Sequence, residues 1–143
     1  MNGFALHPQL QADTHLLISL KHSEVLLMDD ARFPWLILVP RIVNARELHE
    51  LAPAVRAQVS EEVYTVSTLL SQHTKAYKMN IGALGNMVEQ LHIHVIARQT
   101  DDAVWPNPVW GAGTRKPYTL EQKSVLKKEY ACLLYTSPSP RDS

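Results

Sequence analysis

Cysteine is almost absent from this chain: Cys132 is the only one in 143 residues. An intrachain disulfide framework and a cysteine-based metal centre are both excluded. Net charge is absent too, since 14 Lys and Arg balance 14 Asp and Glu. No general polyanion-binding surface is implied, nucleic acid is not an expected partner, and an anionic ligand must be held by a local site. No apolar run approaches the roughly 20 residues of a membrane helix. The opening "MNGFALHPQL" lacks the basic and apolar regions of a signal peptide. The expectation is therefore a cytoplasmic protein that does not engage a membrane. The length suits one domain with a sizeable core, and no internal repeat is visible.

What is present falls into recognisable elements. "SEVLLMDDARFPWLILVPR" holds two apolar runs, 25–28 and 35–39, punctuated by Asp29, Asp30 and Pro34. This reads as a hairpin whose second strand ends at Pro40. Val55, Val59, Val63, Val66 and Leu70 then recur at helical spacing, with Pro53 as a first-turn proline, which predicts an amphipathic helix over 53–73. His73 near its end reads as a helix-terminal polar residue. A short strand over 78–81 runs into a loop bearing Gly82, Gly85 and Asn86. "WPNPVWGAGTRKPY" reads as an ordered irregular segment, because Trp105 and Trp110 favour burial. Thr119 with Gln122 fits a capping box that opens a last helix through Leu126 and Tyr130. One domain is expected over 1–131. The final "LLYTSPSPRDS" continues none of these patterns and resembles translated adapter read-through. Residues 132–143 are read as an irregular tail, either foreign to the native sequence or a disordered native end.

The most informative stretch is "EQLHIHVIAR", 89–98. Leu91, Ile93 and Val95 alternate with Gln90, His92 and His94, the pattern of a strand with one buried face. Imidazoles side by side on the other face point to proton handling, nucleophilic attack or metal binding. A polar strand face with incidental histidines is the plain alternative.

Three chemistries suit such a face. Two imidazoles can hold Zn²⁺, but a third protein ligand is needed, and Asp29, Asp30, Asp101, Asp102 and His73 lie at no diagnostic spacing. A Ser-His-Asp hydrolase lacks its nucleophile elbow, as there is no Gly-x-Ser-x-Gly. The third is a histidine nucleophile. A neutral imidazole attacks without an activating base, provided an acceptor holds its other ring nitrogen. A second histidine could serve the leaving group. Gly82, Gly85 and Asn86 could turn backbone N–H groups toward phosphate oxygens, and Asn80 could add an amide.

"QLHIHVI" resembles the histidine triad motif, His-φ-His-φ-His-φ-φ with φ apolar. The surroundings resemble that superfamily over about residues 4–120. They comprise a hairpin ending in φ-φ-Pro, a helix, a strand with Asn, a glycine loop and the His strand. "LGNMVEQLHIHVIAR" followed by "WPNPVWG" looks especially like a bacterial branch of dinucleoside polyphosphate hydrolases. The resemblance implies an α+β fold, an antiparallel sheet of about five strands with two main helices, in a homodimer whose sheets join. It implies hydrolysis or transfer at the α-phosphate of dinucleoside polyphosphates or nucleoside phosphoramidates. His92 matches the nucleophile, which forms a nucleotidyl-histidine, and His94 the residue that contacts the phosphate and assists the leaving group. Asn80 matches a contact near the α-phosphate, and Gly85 and Asn86 lie in the phosphate loop. Asp29, with Asp30 as alternate, matches the ribose contact. Gln90 departs from the motif, replacing its first His in the catalytic row, and leaves rate and leaving-group preference open. No cofactor is required, and a divalent cation would enter only with a polyphosphate substrate. The alternative function is a nucleotide-binding module with little turnover, which Gln90 favours.

Overall fold

The computed structural model of the protein describes residues 3–135. A short helix α1 (Pro8–Asp13) leads into β1 (Thr14–Ser19), β2 (Ser23–Met28) and β3 (Trp35–Pro40). Next come α2 (Pro53–Thr74), β4 (Lys78–Gly82), β5 (Ile93–Arg98) and α3 (Leu120–Tyr135). The strands form one antiparallel five-stranded sheet in the order β1-β2-β3-β5-β4. The expected α+β class and the hairpin are as read. β1 and α1 are additional to the elements placed by pattern.

The sheet separates two apolar layers, because alternate residues of a strand face opposite ways. Val25, Leu27, Leu36, Leu38, Ile93, Val95 and Ala97 pack against Val59, Val63, Val66 and Leu70 of α2 and Tyr130 and Leu134 of α3. The valine stripe thus faces the sheet, with Pro53 at its start. The expected capping box opens α3: Gln122 N donates to Thr119 Oγ1, and Thr119 N donates to Gln122 Oε1. α3 runs on to Tyr135 and buries Leu134, so 132–135 are helical where an irregular tail was expected. The rest of that tail lies outside the described residues.

Among the described residues no helix covers the opposite face in the same way. Leu26, Trp35, Ile37, Val39 and Ile96 meet Leu10 of α1, Val88 and Val109, with Phe4, Leu6 and Trp110 at the margin. The cover is built of loops and one short helix, and it leaves room for a cavity. Among the described residues no helix is long and apolar enough to cross a membrane.

Candidate active site

β5 opens at Ile93, so His92 stands just before the strand and His94 within it. Both are buried, at 7% and 6% exposure. Their rings meet edge to face with centroids 5.0 Å apart. His94 lies opposite Ile37 of β3, on the loop-covered face.

Each imidazole has one nitrogen committed, and the two commitments are opposite. His92 Nδ1 lies 2.7 Å from the Gln90 carbonyl oxygen. A carbonyl only accepts, so Nδ1 carries the proton and Nε2 of the neutral ring keeps its lone pair. At His94 the Trp35 indole N–H donates to Nδ1 at 3.0 Å. An indole only donates, so Nδ1 carries the lone pair and the proton sits on Nε2. Burial, then the neighbouring charge of His92, pushes the His94 pKa down to about 3. His94 is a neutral hydrogen-bond donor at physiological pH.

Both rings open into a cavity of about 430 Å³. Leu10, Met28, Ile37 and Val109 give it apolar walls, and Gly85, Asn86 and Val88 form one rim. Gly85 has φ +74°, a conformation that suits glycine and turns the loop beside the histidines. Trp110 also lines the cavity, edge to face with His94 at 5.3 Å. Its buried indole N–H has no partner among the described residues. Arg32 reaches across to the Ala112 carbonyl while its Nε and Nη2 bond the Asp30 carboxylate. Burial acts to raise the Asp30 pKa, but the bonds from Arg32 and Lys116 outweigh it and hold the carboxyl below its usual value. Arg115 pairs with Asp13 on the same wall.

The structure brings His92, His94, Gly85, Asn86 and the alternate Asp30 together around the cavity and separates Gln90, Asp29 and Asn80 from it. Gln90 does not stand in a row with the histidines. The chain bends there, its side chain accepts from His7 N at 2.9 Å and donates to Ala5 O at 2.9 Å, and only its carbonyl serves His92. Asp29 does not line the cavity. Its carboxylate accepts from Tyr118 N and faces His15 at 3.5 Å. Asp30 does line it, with its acceptors taken by Arg32 and Lys116. Asn80 shares the face of His94 but does not line the cavity, and its Oδ1 accepts from the buried Arg98. Trp35, Trp110, Arg32 and α1 belong to the site without having been assigned to it. Among the described residues no group of three or more His, Cys, Asp or Glu converges to hold a metal.

Comparison with known proteins adds independent findings. The HIT domain family matches residues 9–101. Among solved structures, a histidine triad protein from Marinobacter aquaeolei is 43% identical, with a TM-score of 0.90 over 92% of this chain and 96% of that one. A histidine triad (HIT) protein from Sinorhizobium meliloti is 42% identical, with a TM-score of 0.88 over 91% and 96%. One from Bradyrhizobium japonicum is 41% identical, with a TM-score of 0.85 over 92% and 96%. No curated protein matches the chain.

Proposed function

Because this chain belongs to the histidine triad (HIT) family, we propose that it hydrolyses or transfers nucleotides at the α-phosphate of dinucleoside polyphosphates or nucleoside phosphoramidates. The observation that carries the reading is the Nδ1 proton of His92 held on the Gln90 carbonyl, which leaves Nε2 as a ready nucleophile. Its lone pair forms a bond to the α-phosphorus, and the electrons of the broken bond leave with the departing group. Water then attacks the nucleotidyl-His92, its protons pass to solvent and product, and the N–P electrons return to the ring.

The other residues take supporting roles. His94 gives its Nε2–H to a phosphate oxygen, a donor aimed at charge that grows in the transition state. Backbone N–H groups of Gly85 and Asn86 cradle the phosphate, and Leu10, Met28 and Ile37 receive the base. Asp29 and Asp30, bonded to Tyr118 N and Lys116 N, pin the segment that closes the cavity. Asn80 steadies Arg98. No cofactor takes part, and a divalent cation accompanies only a polyphosphate substrate.

A homodimer is part of the proposal. β4 is an edge strand with Ile81 exposed, and Leu84 and Met87 beside it are exposed as well. Pairing two copies along that edge would cover the open strand and this apolar surface. The protein acts in the cytoplasm on a small-molecule substrate.

Excess protein mixed with labelled dinucleotides and phosphoramidates tests the enzymatic reading. A stoichiometric burst of leaving group followed by steady mononucleotide release is the expected result. Tight nucleotide binding with no release would make the protein a binding module.

A further inference from the structure

His94 is caged by aromatic rings. The Trp35 indole lies 5.7 Å away, with its N–H on Nδ1, and the rings of Trp110 and His92 stand at 5.3 and 5.0 Å. To become an imidazolium, His94 would have to take its proton on Nδ1, where the indole N–H already points. Two donors would then face each other in a buried site with no acceptor between them, which is strongly unfavourable.

Other proton sources along the cavity are engaged as well. Asp30 is ion-paired with Arg32, and Asp13 with Arg115. The Thr14 hydroxyl donates to the Leu10 carbonyl. His92 is the attacking group, and its Nδ1 proton lies on a carbonyl.

We propose that Trp35 is a positioning residue that holds His94 as a hydrogen-bond donor and bars it from general-acid work, so that the site favours phosphoanhydride substrates over alkyl phosphoramidates. This rests on the hydrolase reading above. In a dinucleoside polyphosphate the P–O electrons depart on a phosphate oxygen, a stable anion that needs no proton. In an alkyl phosphoramidate they would depart on an amide anion, which is too basic to leave unless the nitrogen is protonated as the P–N bond breaks.

The test compares a diadenosine tetraphosphate with an alkyl phosphoramidate of adenosine monophosphate, on wild type and Trp35→Phe. Wild type is expected to favour the tetraphosphate in kcat/KM by about 100-fold or more, the usual worth of general-acid assistance. Trp35→Phe frees Nδ1 and is expected to narrow that preference to about tenfold, with an acid-side rise in the phosphoramidate pH profile. Nitrogen-15 spectra of the histidine rings read the lock directly in wild type: the His94 proton on Nε2, and no titration at mildly acidic pH. These wild-type readouts decide the matter even if the variant melts early. Comparable cleavage of both substrates by wild type keeps the hydrolase reading and overturns this restriction, as does a Trp35→Phe preference equal to that of wild type. A His94 proton on Nδ1 overturns the lock. Cleavage of neither substrate overturns the hydrolase reading and this proposal with it.

Discussion

At the scale of single residues, His92 and His94 share a ring type and differ in function because of what touches Nδ1. Replacing His92 by Ala is expected to abolish turnover while nucleotide affinity stays within about tenfold, because the lost interaction belongs mainly to the transition state. Retention of more than a few per cent of wild-type kcat would remove His92 as the nucleophile. His94 makes a separate prediction about stability. Its folded pKa, about 3, lies below the ordinary histidine value of 6.5. The unfolded chain therefore binds the proton first, and stability falls as pH drops from 6.5 toward 3. Between pH 7 and 5 this one residue should cost wild type roughly 2 kcal/mol. A His94→Asn protein should lack that part of the loss, and urea melts at both pH values give the comparison. Equal pH dependence in the two proteins would mean that His94 takes up its proton in the fold as readily as in the unfolded chain. Both histidines were legible as a motif in the sequence. The Trp35 hydrogen bond was not, because alternation gives a residue's face, whereas its neighbour across strands depends on the β3–β5 register.

Among the elements, the hairpin and α2 were legible because each has a clean period and a clear stop, and α3 was legible at its start through the capping box but not at its end. β1 was not. Its register with β2 shifts between Leu16 and Ile18, and such an irregularity puts successive apolar residues out of phase. The approach to β5 misled in the opposite way. Alternation continues through Gln90, but the backbone leaves the strand before Ile93 and bends to present the carbonyl to His92. Position in the motif assigns Asp29 to the ribose, whereas in the β2–β3 turn its carboxylate accepts from the Tyr118 backbone N–H. Position 90 thus acts through its main chain, which any residue supplies. Gln90→His is expected to change kcat by about tenfold or less, near 1.4 kcal/mol. Gln90→Ala removes two hydrogen bonds to residues 5 and 7 and should cost about 1 to 2 kcal/mol, with faster amide exchange confined to the first 13 residues. A fall in kcat of several orders of magnitude in Gln90→His would show that the side chain enters the chemistry.

For the molecule as a whole, the two faces of the sheet divide the work. One is sealed by α2 and α3 and supplies most of the packing; the other carries the cavity under loops and α1. β1 and β4 are the two edge strands, and the exposed Ile81, Leu84 and Met87 lie at or beside β4, so association is expected there and not across the cavity. Light scattering should give twice the chain mass of 16.2 kDa, and Ile81→Lys combined with Met87→Lys should halve it without unfolding the chain. A wild-type mass of 16.2 kDa at micromolar concentration would exclude the pairing. The tether between Gln90 and residues 5 and 7 has a further consequence for how the protein comes to be. It joins positions 83 and 85 apart in sequence, and contacts of such long range form late because a large loop must close first. As synthesis runs from the first residue, β1, β2 and β3 can pair while the ribosome is still adding α2. The opening segment can rest Leu10 on Leu26 and Trp35 early, but its tether closes only after residue 90 has emerged, so the wall that shelters the histidines is expected to be among the last parts of the nascent chain to settle.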